Sequence, residues 1–93
     1  MKKLKFANVW DAIARNPEEA LNLTLRSDLM SKIETVVEGW KLPQGEAAKR
    51  LGITRPRLND LLRGKMNKFS LDALAALAMR AGLTVRLSVK KAA

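Results

Sequence analysis

Residues 44–63 read Gln44-Gly45-Glu46-Ala47-Ala48-Lys49-Arg50-Leu51-Gly52-Ile53-Thr54-Arg55-Pro56-Arg57-Leu58-Asn59-Asp60-Leu61-Leu62-Arg63, and they decide the fold. Ala47 and Ala48 are small, as required where two helices approach closely. Gly52, four residues on, suits a left-handed turn that a side chain would resist. Thr54 caps the helix that follows, which runs through Arg63 with Pro56 in its tolerated first turn and Gly64 as its stop. Leu51, Ile53, Leu58 and Leu61 supply the apolar contacts between the two helices. The spacing predicts a helix-turn-helix.

The second helix of such a pair enters the DNA major groove, and helical geometry assigns its faces. At about 100° per residue, Leu58, Leu61 and Leu62 point inward, while Pro56, Asn59, Asp60 and Arg63 point away. Arg55 and Arg57 flank the outward face in the first turn. Arg55 suits guanine, Asn59 suits adenine, and Asp60 accepts from cytosine or screens against phosphate. Gln44 opens the preceding helix, where free backbone amides favour a phosphate. Lys65 and Lys68, in the loop after the second helix, suit the DNA backbone, as do Lys41 and Lys49. The expected DNA-binding set is Gln44, Thr54, Arg55, Pro56, Arg57, Asn59, Asp60, Arg63, Lys65 and Lys68.

Working outward, Asn16-Pro17-Glu18-Glu19 is a helix start, with a capping side chain, a preset backbone angle and acids at the positive dipole end. Leu21, Leu25, Leu29, Met30, Ile33, Val36, Val37 and Trp40 then recur at helical spacing. Ser27-Asp28 is a second possible cap, so this is one long helix or two shorter ones, ended by Gly39 and Leu42-Pro43. Ser70 caps a further helix over residues 71–81, with Phe69 and Leu74 placed to form a hydrophobic staple. From Leu83 the period changes to two. Leu83, Val85, Leu87 and Val89 fall on one face, which predicts a half-buried strand over residues 83–90.

Composition narrows the function. The 93 residues hold 18 Lys and Arg against 9 Asp and Glu, a net charge of +9, and they lack both Cys and His. Thiol nucleophiles, imidazole bases and the common zinc and haem ligands are thereby excluded. No catalytic constellation, metal site, cofactor or small-molecule substrate is implied, and the expectation is a non-enzyme. The surplus charge is local. Residues 1–40 carry six basic and six acidic groups, whereas residues 41–68 carry eight basic and two acidic groups. A localised basic segment suits a polyanion. Single-strand or RNA binding is disfavoured, because the two Phe and two Trp do not fall on the outward helix face. Membrane-surface binding lacks an exposed apolar stripe beside the basic residues. The basic start is followed by an apolar run broken at Lys5 and Asn8, so the expected location is cytoplasmic and nucleoid-associated.

The motif from Gln44 to Lys65, followed by Phe69-Ser70-Leu71-Asp72-Ala73-Leu74, resembles the XRE or Cro-like helix-turn-helix proteins, and within them the HigA-type antitoxins. The clear match runs from about Trp40 to Val89. Asn8-Val9-Trp10-Asp11 and the Asn16 cap are similar to the leader of such antitoxins. Pro43 stands where the family commonly has Thr, and Arg55 and Asn59 stand where Gln and Ser are frequent, so the operator sequence is not carried over. The resemblance implies a homodimer that represses its own promoter at a palindromic double-stranded operator. In the antitoxin case it also implies a RelE-like ribonuclease toxin as partner.

The expected architecture is mainly α: a compact five-helix helix-turn-helix domain over residues 16–93, preceded by a leader over residues 1–15. The C-terminal strand pairs with Leu4 to Phe6 or, as two half-sites and the resemblance favour, with its two-fold mate through Leu83, Val85, Leu87 and Val89. Phe6, Val9, Trp10 and Ile13, apolar at helical spacing, either pack back onto the long helix or hold the toxin. Alternatives are a stand-alone XRE-type regulator without a toxin, and a protein-interaction module without specific DNA binding.

Overall fold

The computed structural model describes residues 16–92. Four α-helices follow one another: α1 (Pro17–Trp40), α2 (Gln44–Leu51), α3 (Arg55–Leu62) and α4 (Leu71–Arg80), with a single 3-10 turn, Met66–Lys68, between α3 and α4. The expected count of five helices is not met among the described residues. Ser27 and Asp28 do not start a second helix, because no Gly or Pro interrupts the chain there and α1 passes through them unbroken.

α1, α3 and α4 begin as their capping residues dictate. The Asn16 side chain accepts from the Glu19 amide at 3.2 Å, and Ser70 accepts from the Ala73 amide at 3.2 Å. These bonds satisfy amides that have no partner in the helix. The end of α1 differs from expectation. Gly39 lies within the helix, and Lys41 instead takes the left-handed conformation, at φ 53°. Pro43 accounts for the stop: it disfavours helical geometry at Leu42 and so ends the helix before it.

The core is one cluster formed by Met30, Ile33, Val37, Ala47, Ala48, Leu51, Leu58, Leu61, Phe69, Leu74, Leu77, Ala78 and Ala81. α1 packs along α4 and α3, while α2 packs on α3 and α4. Phe69 and Leu74, the staple pair, are both buried. The expected apolar stripe of α1 holds only in its second half. Leu21 is 61% exposed and Leu25 41%, while Leu23 and Arg26 are half-buried. Stepping back from Ile33 by seven and by ten residues gives positions 26 and 23. The buried face therefore continues through a leucine and an arginine, and Leu21 and Leu25 lie off it.

Residues 83–92 carry no strand, which corrects the strand expected over residues 83–90. Alternation meets the side-chain condition for a strand, but a ladder partner is also required. The Leu83 amide donates to Ala78 O at 2.9 Å, the last backbone bond among the described residues. Leu83 is half-buried, and Val85, Leu87 and Val89 are exposed. Leu25, Leu29, Leu71, Ala75, Leu83 and Leu87 line a shallow groove of about 340 Å³ between α1, α4 and this segment. The leader residues Phe6, Val9, Trp10 and Ile13 lie outside the described residues.

Lys41 gives a test of the local account. A side chain in the left-handed region costs roughly 1–2 kcal/mol, partly offset by the chain entropy that a glycine adds to the unfolded state. Lys41→Gly is therefore expected to raise stability by roughly 0.5–1 kcal/mol, seen as a higher urea midpoint at constant m value. A lower midpoint would show that the Lys41 side chain makes a compensating contact.

Candidate nucleic-acid interface

The turn between α2 and α3 sets the position of everything else in the site. Gly52 sits at φ 71° and its amide bonds back to Lys49 O, while the Ile53 amide donates to Ala48 O at 3.0 Å. Arg80 Nη1, from the last turn of α4, donates to Leu51 O at 3.2 Å. That bond satisfies a carbonyl left free where α2 ends. A Cβ at Gly52 would meet the same Nη1 at 3.2 Å. Glycine is required there by the backbone angle and by the arginine lying against it.

α3 then presents its faces largely as the spacing predicts. Leu58 and Leu61 are buried and Leu62 is partly buried against the core. Thr54, Arg55, Pro56 and Arg63 are exposed, and Asn59 and Asp60 are half-buried. The Thr54 hydroxyl caps the helix by accepting from the Arg57 amide at 3.3 Å. Gln44 is the half-buried first residue of α2, whose N-cap, Pro43, makes no side-chain bond.

The loop after α3 is built from below and from the side. Asp60 holds Lys65 twice, by its backbone oxygen at 3.1 Å and by its carboxylate, 3.4 Å from Lys65 Nζ. As a partly exposed pair, this ion pair contributes at most about 1 kcal/mol. Arg57 does not project outward. Its guanidinium lies 4.2 Å from the centroid of the Phe69 ring and donates to Lys68 O at 3.0 Å. At about 200° from Arg55 around the helix, Arg57 neighbours Leu61, which directs it toward the loop. From the opposite side, Arg26 Nη1 donates to Met66 O at 2.8 Å and, at 3.5 Å, to Phe69 O. Arg26 Nε is buried without a partner, which costs about 1–3 kcal/mol. Lys68 itself remains exposed.

The structure thus places Arg55, Asn59 and Arg63 on the outer side of α3, with Asp60 and Lys65 paired and Lys68 exposed on the Arg57 side. Residue spacing missed Arg26 and Arg80. The available signal for Arg26 was its place seven residues before Ile33, where the stripe calls for an apolar side chain. Arg80 lies outside the motif, and nothing in its neighbours in sequence marks it.

An alanine-lined helix pair joined at a left-handed glycine, with a polar outer face on the second helix, defines a helix-turn-helix. This fold class sets its second helix in the DNA major groove. The chain belongs to the helix-turn-helix domain family, whose model matches residues 12–90. No curated protein matches the chain. No helix among the described residues is long and apolar enough to cross a membrane.

Gly52→Ala is expected to cost roughly 1–2 kcal/mol, because alanine must enter the left-handed region. Urea titration reads this as a lower midpoint. An unchanged midpoint would show that the turn relaxes around a side chain.

Proposed function

We propose that the protein is a sequence-specific DNA-binding transcriptional repressor that acts as a homodimer. The observation carrying this reading is the outward face of α3. Arg55, Pro56 and Arg63 stand exposed opposite the buried Leu58 and Leu61, and Lys68 is exposed in the turn that follows α3. Arg55 and Asn59 contact base edges, through the bidentate geometry that guanine and adenine offer. Gln44, Thr54, Arg63, Lys65 and Lys68 contact phosphates, and Pro56 and Asp60 lie against the groove wall. A second copy reads the other half-site, with Leu83, Val85, Leu87 and Val89 joining the two chains. The exposed apolar side chains of Val85, Leu87 and Val89 support the pairing, since a second copy lying against them removes them from water.

The resemblance to HigA-type antitoxins extends this reading to a type II toxin–antitoxin pair. In that reading the protein represses its own operon and neutralises a RelE-like ribonuclease toxin. The leader, with Phe6, Val9, Trp10 and Ile13, forms the toxin-binding segment. The electrical balance of residues 1–40 supports a protein partner there and a nucleic-acid partner on the basic remainder.

Gel shifts on a fragment carrying the protein's own promoter test the first part. Arg55→Ala and Asn59→Ala are each expected to weaken operator binding by roughly 1–3 kcal/mol and to relax discrimination at one base position. Equal losses on operator and on random duplex would reduce both contacts to electrostatics. For the second part, the protein is co-expressed with the product of the adjacent reading frame. Deletion of residues 1–13 is expected to abolish co-purification while sparing the gel shift; unaltered co-purification removes the leader from that role.

A further inference from the structure

We propose that Arg26 of α1 is a positioning residue for DNA binding, acting through the Met66–Phe69 turn to present Lys68 to the phosphate backbone. This rests on the DNA-binding reading above and adds to it a residue outside the helix-turn-helix. The turn is short and carries no capping side chain of its own. Arg26 holds Met66 O at 2.8 Å from the α1 side, and Arg57 holds Lys68 O at 3.0 Å from the α3 side. The Phe69 ring, buried beneath the Arg57 guanidinium, closes the turn.

The two clamps differ in what they can do for DNA. Arg57 starts on the recognition helix itself and keeps its end of the turn in register with α3. Arg26 reaches the turn from a residue 40 positions away and ties it to the longest element of the fold. Its Nη1 alone donates to both Met66 O and Phe69 O, so one charged nitrogen holds the two carbonyls that bracket the turn. Its Nε stays buried and unpartnered, so the side chain is held against the turn although one of its donors goes unsatisfied. Lys68, at the end of the clamped turn, is exposed, and no ion pair occupies it among the described residues. An amine fixed at its backbone and free at its tip is arranged for a phosphate whose position is set by α3 in the groove.

The test uses the full chain and a mixed-sequence duplex of about 30 base pairs, because phosphate contacts do not depend on sequence. Affinity is measured across a salt series for the unmodified chain, Arg26→Met, Lys68→Ala and the double variant, below the melting temperature of each. Arg26→Met and Lys68→Ala are each expected to weaken binding by about threefold to tenfold and to lower the salt slope by about 1, as one lost phosphate contact does. The double variant is expected to be no weaker than the weaker single variant. Losses that multiply, or an unchanged salt slope in Arg26→Met, overturn the proposal, because a purely stabilising arginine leaves the contacts of the folded fraction intact. Should Arg26→Met not fold, Arg26→Leu, the apolar type that the α1 stripe calls for at that position, replaces it in the cycle. It removes the donor altogether, and the same lowered slope is expected. Duplex binding by the unmodified chain that is absent or independent of salt overturns the DNA-binding reading itself. Binding with multiplicative losses overturns only the role of Arg26.

Discussion

The close approach of α2 and α3 at Gly52 is the constraint on which the rest of the molecule depends. The turn works only because Ala47 and Ala48 leave room and because Gly52 accepts a φ of 71°. Once made, it fixes the angle at which α3 leaves the core. That angle determines that Leu58 and Leu61 are buried and that Arg55 and Arg63 are not. Arg80 extends the constraint to α4, since its bond to Leu51 O ties the last helix to the end of α2. A change at this turn would therefore move the outer face of α3 as a unit.

Positive charge serves two purposes in this fold. Arg26, Arg57 and Arg80 donate to backbone carbonyls in turns and at a helix end, and Arg50 lies over the Trp40 ring at 4.7 Å. Arg55, Arg63 and Lys68 are exposed to solvent. A net charge of +9 is thus not a count of available cations. Arginine suits the inward role because its flat, weakly hydrated guanidinium stacks on a ring and donates at its edge at the same time. The geometry at Arg57 shows both contacts made by one side chain.

The two ends of the described chain share one property. Leu21 and Leu25 near the start of α1, and Val85, Leu87 and Val89 near the end, are apolar and exposed. Of these, Leu25, Val85 and Leu87 line the groove between α1, α4 and residues 83–87. The fully buried residues of α1 begin at Met30, with Leu29 packed against the core. Before them the inward face is held by Leu23 and Arg26, which are only half-buried.

What the sequence determined by itself is whatever a residue settles with neighbours three or four positions away. The caps at Asn16, Thr54 and Ser70, the turn at Gly52, the bounds of α2 and α3 and the inward face of α3 are of this kind. Each rests on one backbone angle or one side-chain-to-amide bond within a single turn. Tertiary structure alone decided the rest. Arg26 meets Met66 and Arg80 meets Leu51 across 40 and 29 residues, and no local pattern encodes such pairs. The direction of Arg57 depended on Phe69 reaching the core beside it. The alternation from Leu83 to Lys90 met one of the two conditions for a strand. The other, a ladder partner, belongs to the chains that surround a segment and not to its own residues.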